Sequence, residues 1–221
     1  MSEALERARG AVARLKVFPL PAVVLLPGTA LPLHIFEERY RELLRDALAQ
    51  DRIFALAQVI PGQEDRLRGR PALEAMLCVG SVAAHSQLED GRSNLVLVGL
   101  ARARILREHP QVKGYREVQA EVLEDPAVPL DDPDEVALQA AVVELMARLP
   151  TEVAERVAQV TARVRGGALA DVVASTVLDD AARRYEVLSE LDVRARMRSV
   201  AEETMLIVGS MRARRHEGLM N

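Results

Sequence analysis

The sequence predicts an α+β protein, with a strand-rich first half carrying one inserted helix and a helical bundle after it. Three observations carry this. From about Leu15 to Leu123 the apolar runs are short and strand-like, and from Asp132 onward the apolar period becomes helical. Between them lies a segment holding Pro126, Pro129 and Pro133 among Glu124, Asp125, Asp131 and Asp132, which can continue neither a helix nor a strand. The expected subdomains are residues 12–125 and residues 132–212.

In the first half, Lys16 to Leu20 and Val23 to Leu26 are apolar runs punctuated by Pro19, Pro21, Pro27 and Gly28. Phe36, Tyr40, Leu43, Leu44 and Ala47 then fall on one stripe at helical spacing. Glu37 and Glu38 suit the first turn of that helix, where the dipole favours anions, and Glu37 stands four residues before Arg41. Ile53 to Ile60, Ala75 to Ser86 and Asn94 to Leu106 read as strands, the last two joined by a hairpin turn at Glu89-Asp90-Gly91-Arg92. Tyr115 to Leu123 alternates as a half-buried strand does.

In the second half, Asp132-Pro133-Asp134-Glu135 combines a cap residue, a proline at the first helical position and a glutamate three after the cap. The helix it opens carries Val136, Ala140, Val143 and Ala147 on one stripe. Pro150 opens a second helix with Val153, Val157, Val160 and Val164, and Gly166-Gly167 is expected to end it. Leu169, Val172, Val173 and Val177 mark a third helix, and Asp179-Asp180 starts a short fourth through Tyr185 and Leu188. Asp192 caps a last helix with the stripe Val193, Met197, Val200, Thr204, Val208 and Met211, followed by Arg212, Arg214 and Arg215. Stripes this narrow need one another for burial, hence the bundle. The end of the last stripe, at Val208 and Met211, either folds back on its own bundle or packs against a second molecule, so a homo-oligomer is one expectation.

Composition narrows the function. With 29 basic residues against 33 acidic ones and a net charge of -4, nothing draws the chain to nucleic acid or to anionic lipid. Arg102, Arg104 and Arg107 form a basic strip, with Arg102 and Arg104 on one solvated strand face, but no aromatics interleave to stack bases. Cys78 is the single cysteine and reads as a small buried hydrophobe. His34, His85, His109 and His216 lack metal-ligand spacing, so neither a metal nor a cofactor is expected. No apolar run approaches the ~20 residues of a membrane span, and residues 1–14 lack a signal-peptide core, so a cytoplasmic protein is expected. There is no phosphate-binding Gly-x-x-x-x-Gly-Lys-Ser/Thr loop, and neither Lys16 nor Lys113 sits near a candidate nucleophile.

Phe18-Pro19-Leu20, Val23 to Gly28 and Leu31-Pro32-Leu33-His34-Ile35-Phe36-Glu37-Glu38-Arg39-Tyr40-Arg41 resemble the opening signature of the Lon protease amino-terminal, substrate-recognition domain. The likeness continues in order through Val79-Gly80-Ser81, Asp90-Gly91-Arg92, Gly99 to Ile105, Leu169 to Ser175 and Leu191 to Met197, with Ala103 in place of the usual aromatic. The resemblance implies a PUA-like β pseudobarrel followed by an α-helical bundle. It implies a free-standing, non-catalytic module, without ATPase or peptidase, that engages unfolded or extended polypeptide segments or acts as an adaptor to a partner protein. A PUA-like nucleic-acid-binding module is the alternative.

The segment around Leu25 has more apolar surface than one short stretch needs. Core packing is one account of it. The other is a hydrophobic peptide-binding groove, with Leu26, Pro27, Leu31, Leu33, His34 and Ile35 as its candidate residues. The polar loop from Pro61 to Pro71 is a further place for contacts.

Overall fold

A computed structural model describes residues 3–63 and 69–218, with side chains as far as Met211. Glu64 to Arg68 of the polar loop, and the side chains of Arg212, Arg214 and Arg215, lie outside the described residues. The chain is α+β and divides into two compact units, Met1–Glu124 and Asp125–Asn221.

The first unit is built on a mixed six-stranded sheet. Its strands are β1 (Leu15–Leu20), β2 (Ala30–Ile35), β3 (Ile53–Val59), β4 (Leu73–Gln87), β5 (Ser93–Glu108) and β6 (Arg116–Val122), in the order β2-β5-β4-β3-β1-β6. β5 also pairs with β6, so the pairings β1–β3–β4–β5–β6–β1 run in a closed ring, with β2 attached outside it. One core cluster is rich in small residues: Ala8, Ala55, Ala57, Ala101, Ala103 and Ala120 pack among Leu15, Val17, Ile53, Leu77, Val79 and Val118. A small closed ring has room for little more than such side chains, which accounts for a core without tryptophan.

Ala8 enters that core from helix α1 (Glu3–Ala11), a helix that the sequence reading did not identify. The opposite face of the strands is covered as well. The register aligns Phe18, Leu56, Cys78 and Arg102 in one row, and Phe18 lies 4.3 Å from Tyr40 of helix α2 (Glu38–Leu48). Arg102 is therefore buried, not solvated beside Arg104 as expected. Burial pushes the Tyr40 hydroxyl up to about 12.

Three local readings in this unit need correction. Val23 to Leu26 is irregular backbone, although Val24, Leu25 and Leu26 are buried. Helix α2 buries Tyr40, Leu43, Leu44 and Ala47 as the stripe requires, but Phe36 precedes the helix and is 60% exposed. Glu37 is the residue before the first turn and holds Arg39 at 2.9 Å, while Arg41 bonds Glu38 at 2.9 Å. In the hairpin turn Gly91 alone takes a positive φ, +81°, and Asp90 accepts from the Arg92 backbone N–H.

The second unit contains α3 (Pro133–Met146), α4 (Thr151–Thr161), α5 (Gly166–Val177), α6 (Ala181–Ser189) and α7 (Val193–Gly218). Asp132 caps α3 through the Asp134 N–H, Asp180 caps α6 through the Ala182 N–H, and Asp192 accepts from the Arg194 N–H at the start of α7. α7 buries Val193, Met197, Val200, Thr204 and Val208. Val208 is thus covered by its own chain, as the fold-back alternative requires, and Met211 is half-buried.

The α3 stripe is the wrong face. Leu138, Ala141, Val142 and Leu145 are buried, whereas Val136 and Val143 are 53% and 59% exposed. The helix is apolar all round, so periodicity could not tell its inside from its outside. In α4 only Val157 is buried, and Val160 is exposed. Gly166 and Gly167 do not end α4; they open α5, where a Cβ on Gly167 would meet Arg196 Nη2 and the Asp125 carboxylate at 2.1 and 2.2 Å.

Arg196 is fully buried on α7. It pairs with Asp125 and, at 3.6 Å, with Asp171, and it donates to the Glu190 carbonyl at 2.8 Å. Arg194 reaches Asp132 at 2.7 Å and Arg198 reaches Asp134 at 3.1 Å, so α3 and α7 start side by side.

Two outcomes follow for stability. Leu138→Ala should cost about 2–5 kcal/mol of unfolding free energy, and Val143→Ala no more than about 0.5 kcal/mol, both read by urea titration. In the first unit, burial opposes ionisation of Glu108, but the Arg116 fork at 2.7 and 2.8 Å, with Arg70, outweighs it and holds the carboxyl below its ordinary range. With the folded value depressed, this pair's contribution is complete above about pH 5 and is lost as the pH falls through the usual carboxylate value near ~4.3 and below. Arg116→Gln should therefore flatten the acid limb of a stability-versus-pH profile.

Candidate functional site

Beyond the ring, β2, the first half of β5 and the second half of β4 continue as a three-stranded flange. Registers place Pro32, Val96 and Ala84 side by side, then Leu33, Leu95 and His85, then His34, Asn94 and Ser86. Side chains alternate across a sheet, so the first and third rows share one face. An irregularity in the β4–β5 register between Val82 and Ala84 sets this alternation. Val82 is buried, while Ala84 and Ser86 are exposed.

That face forms an open groove of about 490 Å³ with the half-buried Val96 in the middle of its lining; Leu33, His85 and Leu95, whose side chains alternate to the other face, also border it. Its polar groups are few. His34 Nδ1 lies 2.7 Å from Asn94 Oδ1, and the His34 ring stacks at 6.1 Å on Phe36, which is itself exposed. Apolar lining with a sparse set of oriented polar groups suits recognition of an apolar side chain or chain segment. Among the described residues, no group of three or more His, Cys, Asp or Glu could hold a metal ion.

β2 also has an open edge, since it lies at the end of the strand order and pairs only with β5. Pro32 has no N–H, so it must sit opposite Val96 in a pair without ladder hydrogen bonds. Ala30 and His34, two residues to either side, therefore point their backbone groups to the same open edge, which has a gap in its donors at Pro32.

The candidate residues from the sequence separate in the fold. Leu33 and His34 line the groove. Leu26 and Ile35 are core residues, 1% and 2% exposed, and Pro27 and Leu31 are half-buried and do not line it. The other groove residues, Pro32, Ala84, Ser86, Asn94 and Val96, were not singled out by the sequence reading. Their signal was the register itself, because Asn94 and Val96 face Ser86 and Ala84 only once the hairpin is aligned around its bulge.

Leu26 has a different task. Its carbonyl accepts from Thr29, and the loop it belongs to is held to β5 by Gly28 N to Gly99 O and by Gly99 N to Thr29 O, both 2.9 Å. A Cβ on Gly99 would stand 2.3 Å from the Leu26 carbonyl oxygen, so only glycine lets the loop lie flat on the strand and deliver β2 to its place.

Residues 14–204 match the model of the ATP-dependent protease La (Lon) substrate-binding domain. The chain belongs to this family. It is 31% identical over 199 residues to the Lon protease of Anaeromyxobacter dehalogenans and 28% identical over 194 residues to Lon protease 2 of Myxococcus xanthus. Each alignment covers 85% of this chain but only 22% and 23% of those proteins, so the chain spans less than a quarter of the length of these relatives. The fold is that of the N-terminal domain of the Mycobacterium avium complex Lon protease, with a TM-score of 0.66 at 20% identity over 87% of this chain and 98% of that one. The Lon N-terminal domain protein from Xanthomonas campestris superposes with a TM-score of 0.64 at 24% identity, covering 85% of this chain and 96% of that one. Among the described residues, no helix is long and apolar enough to cross a membrane.

Gly99→Ala should lower stability by about 1–3 kcal/mol, the usual cost of forcing atoms into filled space. Hydrogen exchange should show lost protection concentrated in β2 rather than in β3; uniform loss across the sheet would contradict the role given to Gly99.

Proposed function

We propose that this chain is a non-catalytic polypeptide-recognition module that takes extended, apolar segments of unfolded protein into the flange groove. It works in the cytoplasm, directly or as an adaptor. The observation that carries the reading is the juxtaposition of the exposed Pro32 and Ala84 and the half-buried Val96 as an apolar row beside the His34–Asn94 pair and an open strand edge. Membership of the Lon substrate-binding family supports the same role in general terms. In this reading the ring of strands is a PUA-like pseudobarrel and the flange its recognition surface. Leu33 and His34 are the two sequence-derived candidates that take part; Leu26, Pro27, Leu31 and Ile35 support the loop and strand that present them.

The donor gap at Pro32 favours capture of side chains on the face over addition of a full strand at the edge. Specificity is then loose, set by apolar surface in an extended conformation.

The test is fluorescence anisotropy with labelled, casein-like unfolded chains and a folded control. Binding to the unfolded chains alone is expected, and Val96→Glu should weaken it about tenfold or more, roughly 1.4 kcal/mol. Pro32→Ala, which restores an edge N–H but trims one member of the row, should weaken it less than Val96→Glu does. Equal, negligible binding to both classes of chain would remove the proposal, and salt-steep binding to RNA in its place would favour a nucleic-acid-binding module.

A further inference from the structure

On the other face of the flange, between the β4–β5 hairpin and α2, lies a smaller cavity of about 190 Å³. Arg41 and Arg45 enter it from α2 and His85, Gln87 and Ser93 from the hairpin, with Leu44 and Leu48 as its apolar wall. Among the described residues, no carboxylate lines it. Arg41 and Arg45 stand four residues apart on one helix face, a like-charge spacing that is unfavourable unless an anion sits between them.

Their charge is incompletely answered. Glu38, with its side chain 74% exposed, accepts from Arg41 Nη1 at 2.9 Å and stands 3.9 Å from Arg45. Arg41 Nε is buried and has no hydrogen-bond partner among the described residues. A buried guanidinium N–H without an acceptor is costly, and native structures rarely keep one without a use. The fold also makes room for this arginine. Gly91 takes its positive φ at the hairpin tip, and a Cβ there would stand 2.2 Å from Arg41 Nη2.

We infer that the Arg41–Arg45–His85 cavity is a binding site for a single carboxylate, presented by the C terminus or an acidic side chain of a polypeptide. The Arg41 guanidinium, a third exposed as a side chain, donates to one carboxylate oxygen, Arg45 and His85 complete the charge at the mouth, and Leu44 and Leu48 seat the carbon chain behind it. At 190 Å³ the cavity is below the range that encloses a whole small molecule, so it takes a group and not a nucleotide. The inference rests on the polypeptide-recognition reading for the source of the carboxylate, and not for the existence of the site.

The experiment titrates the full chain with N-acetylglycine, its uncharged amide and inorganic phosphate, following the Arg41 Nε–H and the Gly91 and Ser93 amides by NMR. A saturable shift with N-acetylglycine and none with the amide is expected. Arg41→Lys keeps the charge but has no Nε–H, and should weaken binding at least tenfold with the fold intact by circular dichroism. If that variant does not fold, Arg45→Gln and His85→Asn, both at the exposed mouth, should each weaken binding about threefold or more. Tighter binding of phosphate than of N-acetylglycine would overturn the carboxylate assignment. A linear, unsaturated drift that is the same in wild type and variants would mean an adventitious ion only. Because the probe is small, this result stands or falls apart from binding of unfolded chains in the groove.

Discussion

Strand β5 is the constraint on which the first unit depends. It is long enough to serve three partners, with β4 along nearly its whole length, β2 on its first half and β6 on its second. The second half closes the ring over an alanine-rich interior, and the first half carries the flange. The irregularities in its pairing with β4, at Val79/Gly80 and Val82/Ala84, lie where one role passes to the other. Bulges bend a strand and re-aim its side chains. Without the shift at Ala84 the β4 residues beyond it would present their other set of side chains beside Val96 and Asn94, and the groove would have a different wall.

The second unit is organised around charge instead. Arg196 is fully buried against Asp125 and Asp171, and Glu135, also buried, pairs with Arg165 at 2.8 Å. Such pairs are weak evidence for net stability, since desolvation offsets much of the attraction. Their geometric effect is clearer. Asp125 comes from the segment before α3, Asp171 from α5 and Arg196 from α7, so one arginine fixes the register of three stretches of chain whose apolar faces are broad and unspecific. A cavity or an added side chain at Gly167 would disturb all three at once.

Much of this was legible in the sequence where local chemistry is unambiguous. The Asp132-Pro133 cap, the Asp180 and Asp192 caps, the α2 and α7 stripes and the Asp-Gly hairpin each have one cheap physical solution. What escaped has a common cause, because each case depends on neighbours that the local pattern does not name. Helix α3 is apolar on both sides, so its inner face is chosen by its neighbours, chiefly α7. Gly166-Gly167 has the look of a stop, yet its glycines are there to admit Arg196 and Asp125. Val23 to Leu26 has strand composition but is held as a loop by Gly99. The groove was half-legible, because Leu33 and His34 lie within one sequence segment whereas Ala84, Ser86, Asn94 and Val96 join them only through the β4–β5 register.

Pro32 has a consequence for the behaviour of the protein in concentrated solution. A surface that displays apolar residues next to an open strand edge is the usual starting point for edge-to-edge polymerisation, in which each captured chain templates the next. A proline at the centre of that edge interrupts the template after one contact. On the proposed reading, the flange can thus take up side chains on its face while being a poor seed for fibrils at its edge.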